Sequence, residues 1–112
     1  MNKLILIGDF NVTNIDWINC KVKNNFNNFG SKLLSCTQNF FLIQNILEPT
    51  RARGTQIPHI LDLALTNSDS VQLVEYLSPL GKSDHCVLYI SSSVVTRNVE
   101  QNLIFIKVTF LL

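Results

Sequence analysis

Three short polar clusters contain the residues of this chain whose types suit chemistry. The first cluster is Gly8-Asp9-Phe10-Asn11, in which a carboxylate and a carboxamide stand two positions apart. The carboxylate could take a proton from water or hold a metal ion, and the amide could donate a hydrogen bond to an anionic oxygen. Glycine, aspartate and asparagine are also common turn residues, so an ordinary turn explains the same four residues equally well.

The second cluster is a single carboxylate, Asp62, which stands between Leu61 and Leu63 in an apolar run. A carboxylate in such a run costs free energy if it is buried without a partner. Asp62 therefore either faces solvent or orients a histidine, as the acidic member of a catalytic triad does.

The third cluster ends at a histidine. His85 follows Asp84 at the end of the polar sequence Gly81-Lys82-Ser83-Asp84-His85, directly before an apolar run. Histidine is the side chain whose charge changes closest to neutral pH, so His85 is a candidate general acid or base. A surface histidine without a chemical role fits the same position. The other histidine, His59, has no such acidic neighbour and is interpreted as structural.

Short apolar runs predict the elements that must position these clusters. Apolar and β-branched runs bounded by Gly, Pro and Asn indicate strands at residues 3–7, 41–47, 60–65, 71–77 and 86–92, with 103–112 a further candidate. A helix is predicted within residues 24–38. Its apolar stripe follows gaps of three and four residues and consists of Phe26, Phe29, Leu33, Cys36 and Phe40. The chain is thus mostly strand with one helix, and polar clusters lie at strand ends.

The composition excludes several classes of protein. Hydrophobic residues make up 46% of the chain, which is too many for a disordered segment. The net charge is +1 and the pI is about 7.7, whereas a protein that binds nucleic acid by bulk charge has a pI above about 9. The sequence contains neither a membrane span nor a signal peptide pattern. Its 3 widely spaced cysteines lack a zinc pattern and indicate reduced thiols in an intracellular protein.

In their order along the chain, the three clusters resemble the endonuclease/exonuclease/phosphatase superfamily. The resemblance rests on GDFN at 8–11, the strand aspartate in LDLALTN at 61–67, and SDH at 83–85. Three flanking segments, NIDW at 14–17, EPTR at 48–51 and PLGK at 79–82, narrow it. Together they look most like the apurinic/apyrimidinic-like endonuclease domain of non-LTR retrotransposons, which precedes a reverse transcriptase. The resemblance covers about residues 4–92.

The resemblance implies an α/β fold, a partial four-layered α/β sandwich of deoxyribonuclease type. Residues 1–95 correspond to the C-terminal half of such a domain, and 96–112 are a trailing segment of uncertain structure. This half is expected to supply most of one sheet and one helix. The missing N-terminal half, which supplies a magnesium-binding glutamate in the family, is the expected partner, together with DNA and a downstream reverse transcriptase.

The resemblance also assigns roles within a site that nicks DNA by magnesium-dependent phosphodiester hydrolysis. Asp9 positions or deprotonates the attacking water, Asn11 bonds an oxygen, and Asp62 holds the imidazole of His85. Either Asp9 or His85 is the base, and Asp84 lies at the Mg²⁺ ion. Loop cations are either DNA-phosphate ligands or solvated charges, and these are Arg51, Arg53 and Lys82.

Three interpretations of function stay open at this point. The first is a nuclear, retrotransposon-type endonuclease fragment that is inactive alone. The second is a degenerate remnant without catalysis, and the third is a phosphatase or lipid phosphodiesterase of the same superfamily. An upstream reading frame with the magnesium glutamate would favour the first interpretation, and a downstream reverse transcriptase would separate it from the third.

Overall fold

The computed structural model describes residues 3–23 and 28–109. Within these ranges the chain forms one helix and eight strands, and the described part is mostly β, as the sequence predicts. The elements in chain order are β1 (Ile5–Asp9), β2 (Ile15–Asp16), β3 (Lys21–Val22), α1 (Asn28–Asn39), β4 (Ile43–Gln44), β5 (Asp62–Thr66), β6 (Val71–Leu77), β7 (Val87–Thr96) and β8 (Val99–Lys107).

Two antiparallel sheets of three strands form the body of the described chain. The first sheet has the strand order β1-β5-β4, and every residue of its central strand β5 is buried. The second sheet has the order β6-β7-β8, and β2 and β3 pair as a small separate ribbon. The pattern of buried residues in β5 fits a strand that is covered on both faces.

The two sheets pack against each other through a common apolar core. Ala64 of β5 and Ile46 contact Leu88 and Ile90 of β7, and all four are 0% exposed. Burial of each large aliphatic side chain contributes about 1.5–3 kcal/mol. The resemblance implied most of one sheet and one helix; the described residues form one helix and, besides the first sheet, a second sheet of β6, β7 and β8.

The buried face of α1 differs from the predicted stripe. Phe29 and Phe40 are 52% and 68% exposed, whereas Leu34 is buried against Val12 and Ile15. The buried positions are shifted by one, and Gly30 lies directly against the Asn14 side chain, where a Cβ atom would have no room. Of the other predicted stripe residues, Leu33 is half-buried against the same cluster, Cys36 is exposed, and position 26 lies outside the described residues.

The C-terminal segment forms a hairpin with β7. β8 pairs with β7 along its whole length, from Leu88↔Lys107 to Thr96↔Val99. The connecting residues Arg97 and Asn98 have φ of 51° and 64°, the left-handed conformation typical of tight two-residue hairpin turns. Residues 99–107 are therefore part of the second sheet, and 110–112 lie outside the described residues. No helix in the described ranges is long and apolar enough to cross a membrane.

Candidate active site

Strand pairing in the first sheet places two carboxylates opposite each other. The register of β1 and β5 pairs Asp9, the last residue of β1, with Asp62, the first residue of β5. The Asp62 side chain is 0% exposed, whereas that of Asp9 is 35% exposed. The sheet therefore presents one buried carboxylate and one that is open to solvent at the same end.

His85 is held by the buried carboxylate. Its Nδ1 atom lies 2.8 Å from Asp62 Oδ2. Since a carboxylate oxygen accepts hydrogen bonds, a neutral His85 ring that donates through Nδ1 leaves Nε2 as an acceptor. Nε2 is 3.8 Å from Asp9 Oδ2 and 4.0 Å from Asp84 Oδ1. An oriented imidazole beside open carboxylates is an arrangement suited to general acid–base chemistry.

Thr50 positions both members of this pair. Its side chain is buried, and its Oγ1 accepts hydrogen bonds from the backbone N–H groups of Leu61 and Asp62, each at 3.0 Å. Its carbonyl oxygen accepts a bond of 2.7 Å from the N–H of Cys86, next to His85. One residue thus fixes the start of β5 relative to the start of β7, and with it Asp62 relative to His85.

Two arginines hold Asp84. The Nε atoms of Arg51 and Arg53 lie 3.0 and 2.9 Å from Asp84 Oδ2. The hydrogen bond from Arg51 lowers the pKa of Asp84 below its usual value, and the charge of Arg53 adds to the effect. Asp84 is therefore a carboxylate at neutral pH, with its other oxygen facing His85.

Asn11 and Lys82 are more peripheral. The backbone N–H of Asn11 donates to Asp9 Oδ1 at 2.9 Å, with Asn11 at φ 50°, which asparagine tolerates better than most residues. The residue itself is exposed. Lys82 is exposed in a turn that begins at Gly81. Within residues 3–23 and 28–109, no hydrogen bond or ion pair joins Lys82 to the cluster.

Oxygen donors suitable for a hard cation lie beside the imidazole. Ligand atoms of Asp9, Asp62 and His85 lie within 4.8 Å of one another. Both oxygens of Asp62 are already bonded, one to His85 and one to Lys107, so the open oxygens belong to Asp9 and Asp84. Magnesium is usually held by one or two carboxylates together with water and substrate oxygens. The residues present fit such an ion.

Sequence reasoning overlooked two contributors to the site. Lys107 Nζ lies 3.1 Å from Asp62 Oδ1, and Thr50 bonds the backbone at Asp62. Lys107 is the single charged residue in the apolar run 103–112, and such an isolated charge could have drawn attention to it. Nothing in the local sequence distinguishes the buried Thr50 hydroxyl from an exposed one.

Cys86 is next to this centre but is poorly suited to act as a nucleophile. Burial raises the pKa of the Cys86 thiol, and the negative charge of Asp62 raises it further. The reactive form of cysteine is the thiolate. Cys86 therefore stays protonated at neutral pH, and acid–base chemistry is left to the histidine and the carboxylates.

A known family covers the part of the chain in which most of these residues lie. A family model described as endonuclease-reverse transcriptase matches residues 1–89. This span includes the site residues Asp9, Asp62, Asp84 and His85 but not Lys107. The match supports a domain of the endonuclease/exonuclease/phosphatase type. The chain belongs to the endonuclease-reverse transcriptase family. No curated protein and no solved structure matches the chain.

Proposed function

We propose that this chain carries the acid–base centre of a magnesium-dependent endonuclease of retrotransposon type, which nicks DNA by hydrolysing one phosphodiester bond. The observation that carries the proposal is the 2.8 Å contact between His85 Nδ1 and Asp62 Oδ2, with Nε2 only 3.8 Å from Asp9. All three residues fall within the span that the family model covers.

The buried carboxylate and the imidazole act as one unit. Asp62 accepts the Nδ1 proton and so holds the ring with Nε2 toward the open side of the cluster. Nε2 then takes a proton from the attacking water or gives one to the leaving oxygen. Asp9 lies beside Nε2 and orients the same water, and it is the alternative base. Asn11 bonds the water or a non-bridging phosphate oxygen.

Asp84 and Asp9 are the residues that would hold magnesium. Their open oxygens lie 4.0 and 3.8 Å from His85 Nε2. A bound magnesium ion supplies positive charge that stabilises the phosphate and the leaving oxygen. Arg51 and Arg53 keep Asp84 ionised for this role.

The loop cations contact the DNA backbone in this proposal. Arg53 is 59% exposed at its side chain although it pairs with Asp84, and Lys82 is exposed. Both side chains are exposed enough to contact phosphates beside the scissile bond, Arg53 through guanidinium nitrogens other than the one that faces Asp84. With a net charge of only +1 on the whole chain, these local contacts rather than bulk charge would position the substrate.

The described residues would form one part of a four-layered sandwich, with a magnesium glutamate, further DNA contacts and a reverse transcriptase contributed from outside residues 1–112. Asp62 is paired with Lys107 and Asp84 with two arginines, whereas Asp9 has no lysine or arginine partner among residues 3–23 and 28–109. We infer that the 112 residues alone bind magnesium weakly and do not nick DNA. A nuclear location follows from a DNA substrate.

A plasmid-nicking assay tests the proposal. The 112-residue chain is incubated with supercoiled plasmid and magnesium, alone and joined to the N-terminal half of a complete family member. We expect no open-circular product from the chain alone and magnesium-dependent product from the joined protein, abolished by EDTA. A joined protein that folds but leaves the plasmid supercoiled contradicts the proposal and favours a degenerate remnant.

A further inference from the structure

The Asp62 carboxylate has two partners, and only one of them belongs to the family's matched span. Its Oδ2 atom accepts from His85, whereas its Oδ1 atom accepts from Lys107 Nζ at 3.1 Å. Lys107 lies on β8, beyond residue 89, where the family match ends. The lysine therefore needs an explanation that the family does not supply.

Sheet geometry explains how a residue so distant in sequence reaches the site. Lys107 pairs with Leu88 across β7 and β8, and residues paired in this way point to the same face of a sheet. Leu88 is fully buried in the core between the two sheets. Lys107 thus extends from the second sheet toward the first, where its ammonium group meets the first residue of β5.

The ion pair between Lys107 and Asp62 compensates the cost of burying the Asp62 carboxylate. Asp62 is 0% exposed, and a buried carboxylate is costly unless a counter-charge and hydrogen bonds compensate it. The Lys107 side chain is itself only 19% exposed and also donates to Thr109 Oγ1 at 2.7 Å, so the ammonium group is fixed at two points. Because Oδ1 is held by Lys107 and Oδ2 by His85, the Asp62 carboxylate cannot rotate about its Cβ–Cγ bond without breaking one of these two hydrogen bonds.

We propose that Lys107 is a positioning residue of the catalytic centre. It fixes the orientation of the Asp62 carboxylate, and the carboxylate in turn fixes the tautomer and the orientation of the His85 ring. The role of the oriented ring rests on the proposed function, but the orientation itself is a property of the free protein. Failure of the nicking assay would consequently leave this inference untouched.

The His85 ring can be observed directly because the chain contains only two histidines. In the 112-residue chain labelled with ¹⁵N-histidine, nitrogen–proton spectra at pH 8 report the tautomer of each ring. We expect His85 to show the Nδ1–H tautomer with a ring proton protected from exchange. Lys107→Met should mix the tautomers or lose the protected proton, whereas His59 should stay unchanged. Lys107→Arg should retain the wild-type pattern, and Lys32→Met, on the exposed face of α1, is the matched control.

Two outcomes overturn the proposal. One is a folded Lys107→Met variant whose His85 ring spectrum equals that of the wild type. The other arises if Lys107→Met does not fold. The double variant Asp62→Asn/Lys107→Met, which removes both charges, is then compared with it. Recovery of the fold in this neutral pair supports a role exerted through Asp62, and failure to fold in both backgrounds shows that Lys107 acts elsewhere.

Discussion

Asp62 is the carboxylate of the site that most needs compensating partners, because it is fully buried. It has no exposed surface, and its Oδ2 atom contacts Nδ1 of the His85 ring. Its two oxygens have His85 and Lys107 as partners, and its backbone N–H donates to the Thr50 hydroxyl. A carboxylate with so many fixed partners is suited to orient a base rather than to exchange protons itself.

Asp62 and His85 should behave as one unit in a nicking-competent joined protein. Asp62→Ala or His85→Ala should each lower the nicking rate by about 10²–10⁴, the usual contribution of general acid–base catalysis. The double variant should lose little more than the worse single variant, because coupled residues are not additive. Rate losses that multiply in the double variant would show that the two residues act independently.

The cysteines should differ in reactivity. Cys20 and Cys36 are exposed, whereas Cys86 is partly buried and burial raises the pKa of its thiol. A raised pKa means that less thiolate is present at any pH below it, so Cys86 should be alkylated by iodoacetamide more slowly than the other two at pH 8. Mass spectrometry of peptides over time measures the three rates. Equal rates would contradict the described burial.

At the scale of elements, the site depends on how the loop before β5 meets the start of β7. Thr50 joins the two through three hydrogen bonds. Thr50→Val keeps the shape but leaves two buried N–H groups without an acceptor, each worth about 1–3 kcal/mol. We expect a loss of roughly 2 kcal/mol or more in the free energy of unfolding, measured by urea denaturation.

Thr50→Ser is the matched control for this prediction. It retains the hydroxyl group and removes only one methyl group, so the two hydrogen bonds can persist. Its free energy of unfolding should stay closer to that of the wild type than that of Thr50→Val does. If Thr50→Ser is destabilised as much as Thr50→Val, packing of the methyl group rather than the hydroxyl holds the loop.

The elements also show where sequence patterns suffice. The apolar and β-branched run 71–77 predicts β6 with the bounds that the structure has. The predicted apolar face of α1 is wrong at Phe29 and Phe40, which are exposed, whereas Leu33 packs inward; the close contact of Gly30 with Asn14 is a tertiary feature that the periodicity does not contain. The β2–β3 ribbon was not predicted, because two strands of two residues leave no periodic pattern to detect.

In the candidate site, too, some residues could be predicted from the sequence and others only from the tertiary structure. The order of Asp9, Asp62 and His85 along the chain predicts a shared site by resemblance, and the three are clustered in the structure. Lys107 reaches Asp62 only through the register of β8 on β7 and the packing of one sheet on the other. Such a contact is not encoded in the local sequence around either residue.

At the scale of the whole molecule, β8 is an integral part of the second sheet. A chain that ends at residue 97 would lose every hydrogen bond between β7 and β8, the partly buried Phe105 and the counter-charge of Asp62. We expect this shortened chain to lose its cooperative thermal transition, since a central strand becomes an open edge. Circular dichroism during heating measures the transition.

A chain that ends at residue 109 is the control for this truncation. It retains β8 together with the contacts of Lys107 to Asp62 and Thr109. Its midpoint temperature should stay within a few degrees of the full chain, roughly the shift that 1 kcal/mol causes in a domain of this size. An unchanged melt in the chain ending at 97 would instead support a domain boundary near residue 95.

The most direct test of the central claim compares the two histidines in the joined, magnesium-supplied protein. The rate at which supercoiled plasmid becomes open-circular is measured for the wild type, His85→Ala and His59→Ala. We predict a fall of about 10²–10⁴ for His85→Ala, because the oriented imidazole is lost, and little change for His59→Ala. Nicking that survives His85→Ala at the wild-type rate would show that this chain does not carry the acid–base centre.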